Sequence, residues 1–256
     1  MDLGFQEFAL ERLRYIAKND NHSVLISGIR GCGKTYLASC FAKMKNIDTF
    51  HSVQPKISEI RNALDDSYSL DDNQVICIEN LDDGVVAASQ ALLKYLEEPR
   101  KNTYVIITCV NEASLTNTIP SRSISVHVNP PSDKDLSAYL HRVCPDPKRV
   151  EGSVAFESCK SISDVKYLST LDYTKVRYYD KFATNAFFKK STDSVLWELT
   201  HYEDNSKCDP VLALRCVLAG ECDYNLKLNA LDSLIVLESK RCSEYSVLGN
   251  FVTSIR

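Results

Sequence analysis

Two short stretches carry residue types that could do chemistry on a nucleotide. Residues 28–35 read GIRGCGKT, in which Gly28, Gly33, Lys34 and Thr35 meet the spacing G-x-x-x-x-G-K-[ST] and Gly31 adds a third glycine. Such glycines let successive backbone N–H groups turn inward around phosphate oxygens. The lysine then reaches the β and γ oxygens, and the threonine hydroxyl ligates Mg²⁺. Residues 75–83 read VICIENLDD. A chain that splits ATP needs two carboxylates at the end of such a strand, one for the metal and one to polarise the attacking water. These places hold Glu79 and Asn80. Glu79 can serve the metal with Thr35, but an amide takes up no proton and carries no negative charge, so Asn80 is a poor general base. Asp82 or Asp83 could substitute, although both are placed to cap the helix that follows.

These residues need a scaffold, and the hydropathy pattern supplies one. SVLIS (23–27) is a β-branched run that stops at Gly28, and helical periodicity resumes through Tyr36, Leu37, Cys40 and Phe41. That is strand, glycine loop, helix. NIDTFHS (46–52) reads as a weaker strand, and ISEIRNALDD as a helix through Ile57, Ile60 and Leu64. QVICIEN, TYVIITCV and ISVHV (124–128) are further strands, the first apolar on both faces as in a parallel sheet. The strand ending at Ile78 is expected to run beside the glycine-loop strand. Asp82 or Asp83 is expected to cap a helix whose Ala88, Ala91, Leu92, Tyr95 and Leu96 form one stripe before Pro99 blocks it. The N-terminal MDLGFQEFALERLRY reads as an amphipathic helix. Strands alternating with helices imply right-handed crossovers, hence an α/β fold with a parallel sheet. After Pro131 the texture turns helical, opening on the well-capped SDKDLSAYLHRV, so boundaries are expected near 130 and 173.

Composition narrows the classes further. A chain of 256 residues, 44% hydrophobic and 25% charged, suits a soluble α/β domain with one or two smaller ones. No apolar run approaches the ~20 residues that span a bilayer. The acidic start lacks the apolar core and cleavage site of a signal peptide, so a cytoplasmic location without a membrane partner is expected. A net charge of −4 does not draw the whole chain to nucleic acid. DNA contact would need a local basic surface, or neighbouring subunits that supply one. The ten cysteines show no ligand spacing and read as reduced, buried thiols rather than a zinc site.

IENLDDGVVAASQALLKYLEEP resembles a segment of the AAA+ clamp-loader family, most of all its DNA polymerase III delta-prime subunits. There an acidic strand end and a short turn lead into A-x-N-A-L-L-K-x-L-E-E-P. LTNTIPSRS is similar to the family's T-I-x-S-R-C, with Ser121, Arg122 and Ser123 in the last three places. ISEIRNAL matches I-x-x-I-R-x-L, and SISDVKYLSTLD resembles the lid helix that carries the second sensor. The matches run in family order across residues 5–172. The last ~80 residues carry no such motif and stand where the family has its helical collar.

The resemblance implies a P-loop AAA+ domain (1–130), a small helical lid (131–173) and a C-terminal helical collar (174–256). It implies ATP and Mg²⁺ held by Gly28, Gly31, Cys32, Gly33, Lys34, Thr35 and Tyr36, with Glu79 at the metal-ligand position and Lys166 at the second sensor. Arg122 takes the place of the arginine finger, which reaches ATP on the adjacent subunit and stabilises charge developing in the transition state. Several departures bear on hydrolysis. Asn80 stands at the catalytic-glutamate position, and Val110 at the first sensor with Asn111 beside it. Lys166 replaces an arginine and lacks its planar fork. The N-terminal tyrosine, arginine and proline that help enclose adenine are missing, as is the cysteine-rich zinc insertion of many bacterial members. That combination resembles a subunit that completes a neighbour's site and works poorly in its own. Its partners would be homologous clamp-loader subunits, the sliding clamp and primer-template DNA, in a bacterial cell or a phage-infected host. Lys56 and Arg61 are candidates for DNA phosphates, and Lys94 and Arg100 for DNA or the clamp. Two alternatives stand beside this reading: an active clamp-loader ATPase filling several ring positions, and another AAA+ ATPase such as a helicase loader.

Overall fold

Strand alternation builds the first half of the chain. The computed structural model describes residues 4–19, 21–67, 72–239 and 242–255, and divides into units Met1–Asp135 and Leu136–Arg256. The first unit holds five parallel strands, β1 (Ser23–Ser27), β2 (Thr49–Val53), β3 (Gln74–Ile78), β4 (Thr103–Cys109) and β5 (Ile124–His127), in the order β2-β3-β4-β1-β5. Successive side chains of a strand point to opposite faces. Val24, Ile26, Val75, Cys77, Tyr104 and Ile106 therefore meet α1 (Glu7–Ala17) and α2 (Lys34–Met44), packing with Leu10, Leu13, Leu37 and Phe41. Leu25, Ile76, Ile78, Val105 and Ile107 face α3 (Ile57–Asp66) and α4 (Val86–Glu97), packing with Ile60, Leu92 and Tyr95. Each fully buried aliphatic side chain contributes about 1.5–3 kcal/mol, so both helical layers clamp the sheet. Met1–Leu3 of the expected N-terminal helix lie outside the described residues; a 3₁₀ turn over Gly4–Gln6 leads into α1.

Three expectations are corrected. β3 does not run beside β1, because β4 lies between them. All seven residues of β4 are buried, and it takes a neighbour on each edge, which makes it the centre of the sheet. β2 begins at Thr49 rather than near 46: Asn46 adopts a left-handed φ of 56°, and Ile47 N–H closes back on Ala42 O to end α2. Neither Asp82 nor Asp83 caps α4. They form a 3₁₀ turn with Leu81, and α4 starts after Val85 with no side-chain cap.

The second unit is helical. Its elements are α5 (Asp133–Val143), which opens across the division, α6 (Pro147–Glu151), α7 (Val154–Glu157), α8 (Ile162–Thr170), α9 (Tyr173–Tyr178), α10 (Thr192–Thr200), α11 (Pro210–Ala219), α12 (Tyr224–Glu238) and α13 (Glu244–Ser254). α8 opens on a reciprocal capping box between Ser161 and Asp164. α11 is the buried axis, and its Arg215 donates to Asp164 on α8 and to Glu238 on α12. The lid-to-collar division expected at 173 lies at the first residue of α9, within the single compact unit Leu136–Arg256.

Candidate nucleotide site

β1 ends at Ser27, and the chain turns through Gly28–Gly33 into α2. Gly28 N–H donates to Cys109 O (3.2 Å), fixing the loop's start to the end of β4. A Cβ at Gly28 would lie 2.8 Å from Val128 O, and one at Gly33, whose φ is 91°, would lie 2.5 Å from Gln6 Nε2. The backbone contact at Gly28 and the left-handed φ at Gly33 disfavour any larger residue. Lys34 is 6% exposed, and its ammonium donates to Gly28 O (2.9 Å) and Ile29 O (3.0 Å). Burial pulls its pKa below the ordinary lysine value, while the Asp82 carboxylate works against that shift. An ammonium so placed, ringed by carbonyls and short of solvent, gains strongly from a polyphosphate. At the rim, Arg30 of the loop pairs with Asp83.

Registry sets the second half of the site. Ile78 and Leu25 both pair with Ile107, so β3 ends level with Leu25, two residues before the end of β1. With β4 between them they stand about 10 Å apart, two strand spacings. Asn80 takes a left-handed backbone (φ 44°, ψ 59°), and its N–H donates to Thr108 Oγ1 at 2.8 Å. Asparagine is among the few residues that tolerate this conformation, so the backbone itself favours an asparagine at this position. Glu79 turns toward the sheet edge: its carboxylate accepts from Ser52 Oγ (2.6 Å) and Gln54 Nε2 (3.4 Å). Asp82 Oδ2 accepts the N–H groups of Val110 (2.9 Å) and Asn111 (3.2 Å), while its Oδ1 is buried without a partner. The Asn111 amide is occupied too, accepting Ala113 N–H at 3.0 Å.

Arg122 lies at the other end of the sheet. It closes a 3₁₀ turn, Pro120–Arg122, and the next residue, Ser123, is hydrogen-bonded to Ser23 at the start of β1 (2.7 Å). Its guanidinium donates to Glu97 Oε1 (2.9 Å) and Thr118 O (3.4 Å), and lines a pocket of about 180 Å³ with Asn21, His22, Ser23, Tyr95 and Pro99. Lys166 is exposed on α8 in the second unit. Lys56 is the residue before α3 and pairs with Glu59 (2.9 Å); Arg61 is exposed on that helix, and Lys94 on α4. Arg100 donates to Ser67 O. The first unit thus gathers Gly28–Tyr36, Asn80, Asp82 and Val110 at one end of the sheet and Arg122 at the other.

Sequence reasoning missed Gln6, which is 1% exposed and donates from Nε2 to Cys32 O at 2.6 Å. It also missed Glu112, which accepts from Ser27 Oγ (2.6 Å) and Ser125 Oγ (3.2 Å) beside the loop. No spacing rule singles out either residue; only the topology brings them to the loop. The glycine cradle, the buried Lys34 and the unpaired Asp82 oxygen fit a magnesium nucleotide, with Thr35 and either Asp82 or a re-turned Glu79 on the metal side. Among the described residues no group of three or more His, Cys, Asp or Glu is placed to hold a metal by itself. Nor, among them, is any helix long and apolar enough to cross a membrane.

A family model described as DNA polymerase III, delta subunit, matches residues 48–132. The chain is 26% identical over 174 residues to the DNA polymerase III subunit gamma of Buchnera aphidicola subsp. Schizaphis graminum, covering 56% of this chain and 47% of that protein. It is 27% identical over 122 residues to the DNA polymerase III subunit delta' of Haemophilus influenzae, covering 44% of this chain and 37% of that one. The chain thus spans half or less of the length of these curated relatives. Among solved structures, a DNA polymerase III gamma subunit-related protein of Thermotoga maritima superposes with a TM-score of 0.60 at 15% identity, over 96% of this chain and 97% of that one. At that identity the likeness is one of fold.

Proposed function

We propose, from the premise that this chain belongs to the AAA+ clamp-loader family, that it is a subunit of a ring that loads a sliding clamp onto primer-template DNA. In this reading it holds Mg·ATP, splits it poorly, and lends Arg122 to the triphosphate of the adjacent subunit. One observation carries the reading: Arg122 and the chain's own phosphate loop lie at opposite ends of β1. A guanidinium so placed serves a nucleotide that another subunit presents.

The division of labour follows from the residues. The loop N–H groups and Lys34 bind and orient the phosphates, and Thr35 contributes a metal ligand. Bound Mg²⁺ would neutralise charge on the phosphate oxygens. Asn80 removes the base that would take the proton of an attacking water, and Val110 offers no side-chain hydrogen bond to hold that water. Each such loss is worth about 10²-fold or more in rate. Glu97 holds the Arg122 guanidinium ready on the outer surface. Residues 131–173 would act as the lid that carries Lys166, and 174–256 as the collar. Lys56 and Arg61 would meet DNA phosphates. The expected setting is the cytoplasm of a bacterium or a phage-infected host.

A second reading rests on Asp82: its buried, unpaired Oδ1 could replace the missing base in an active ATPase. Equilibrium binding of Mg·ATP to the isolated chain, together with its turnover in the presence of clamp and DNA, separates the two. Binding without robust turnover supports the proposal. Robust turnover supports the active enzyme, and capture of a replicative helicase instead of the clamp would support a helicase loader.

A further inference from the structure

We infer that Gln6 is a positioning residue for the phosphate loop, one that presets the Cys32–Gly33 peptide so that Gly33 N–H faces the phosphates. The inference rests on the nucleotide reading of the loop and names a part of the site outside the glycine motif itself.

Gln6 comes from the 3₁₀ turn before α1, far from the loop in sequence, and its side chain is almost wholly enclosed (1% exposed). Its amide nitrogen donates to Cys32 O at 2.6 Å. In a trans peptide the C=O and the following N–H point in opposite directions, and no peptide bond of the chain is cis. Holding Cys32 O toward Gln6 therefore turns Gly33 N–H away from it. Among the described residues Gly33 N–H makes no hydrogen bond, although Gly33 O is already engaged by Leu37 N–H (2.9 Å) as the first bond of α2. That leaves a free donor at the N-terminus of an eleven-residue helix, next to the buried Lys34 ammonium. Free N–H groups at such a helix start are the elements that bind phosphate.

Two details show that the contact is built rather than incidental. The amide can adopt only one orientation, because a flipped Gln6 would set its oxygen against Cys32 O. In the orientation it takes, Oε1 is buried without a partner, which is unfavourable for a folded chain. The amide also fills the space a Cβ at Gly33 would need, so a side chain at Gly33 would push the Gln6 amide out of place. An apolar side chain of the same length would fill that space without stranding an acceptor. The bond to Cys32 O is what the amide adds.

The test replaces Gln6 by methionine, which keeps length and removes the donor, with Gln6→Leu as a second variant should Gln6→Met fold poorly. Magnesium complexes of ADP and GDP are titrated calorimetrically into wild type and variant, and the Gly33 amide resonance of each ligand-free protein is recorded. The inference expects both nucleotides to bind about tenfold more weakly to the variant, by the same factor. It also expects the Gly33 resonance, single and sharp in wild type, to broaden in the variant through peptide rotation. A variant with unchanged affinities and an unchanged Gly33 line overturns it. So does a loss confined to ADP, since Gln6 would then be touching the base. If wild type binds neither nucleotide, the nucleotide reading fails, and the Gly33 line alone decides whether Gln6 sets the loop.

Discussion

Replacing Arg122 by alanine tests the trans role most directly, because its expected effects on stability and on activity differ so widely. β1 runs four residue steps from Ser23 to Ser27, about 13 Å, with Ser123 bonded at its start and the phosphate loop after its end. An extended arginine carries its guanidinium only about 7 Å from Cα. Arg122 therefore cannot reach a γ-phosphate in its own loop without breaking the Ser23–Ser123 bond and unpairing β5. Its pairing with Glu97 is half in solvent, with the two side chains 35% and 54% exposed, so losing it costs at most about 1 kcal/mol of stability. A trans arginine contributes about 10³–10⁵ to turnover, roughly 4–7 kcal/mol at 1.36 kcal/mol per decade. The assay is single-turnover hydrolysis in a reconstituted ring whose only intact phosphate loop belongs to the neighbour that faces Arg122. It is run beside urea unfolding and Mg·ATP binding of the free chain. Arg122→Ala should abolish turnover at the neighbour's site while stability falls by no more than about 1 kcal/mol and free-chain binding stays within error of wild type. Equal losses in turnover and free-chain binding would refute the reasoning and return Arg122 to its own subunit's pocket.

Asn80→Glu restores a carboxylate but forces glutamate into a left-handed backbone, at about 1–2 kcal/mol. It should lower the urea midpoint and raise the isolated chain's turnover tenfold or more; a folded variant with no gain would move the main defect to Val110. Asp82→Asn keeps an acceptor for Val110 and Asn111 and removes the charge. Residual turnover should stay within about threefold, whereas a tenfold fall would make Asp82 the working base. Burial lowers the Lys34 pKa in the ligand-free loop, and bound phosphates would raise it. The bound state then holds more protons, so Mg·ATP affinity should fall as pH rises through the free-loop pKa, which lies below the ordinary 10.5. Calorimetry in buffers of different ionisation enthalpy should show proton uptake on binding in that range, and Lys34→Met should abolish it.

The strands were legible because their chemistry is local. SVLIS is β1 residue for residue, and the alternation in TYVIITCV sorts Tyr104 and Ile106 from Val105 and Ile107 onto opposite helical layers. The glycine loop was legible because its spacing is itself the chemistry. Sheet order was not, since β3 and β4 are both buried along their full length and nothing in either run states its neighbours. The role of Asp82 was hidden for a similar reason. A carboxylate before a helix is normally a cap, and here Gly84, lodged against Pro55 O, carries the chain past that position. Gln6 looked like any polar residue opening an amphipathic helix. Its meaning depends on a partner 26 positions away.

The end of β3 also bears on why hydrolysis should be weak, beyond the identity of residue 80. A water-activating site needs polar groups with hydrogen-bonding capacity to spare, aimed at the γ-phosphate. Here the Asn80 N–H is committed to Thr108, and the Val110 and Asn111 N–H groups to Asp82. The Asn111 side chain is committed to Ala113, and the Glu79 carboxylate to Ser52 and Gln54. Among the groups beside the loop that keep capacity for a ligand are Lys34, the Gly33 N–H and one oxygen of Asp82. The first two are donors suited to phosphate oxygens, and the third is a carboxylate. A carboxylate base for residual turnover would have to come from Asp82 or from a Glu79 that leaves its strand-edge partners, whereas holding the phosphates rests on the loop N–H groups and Lys34.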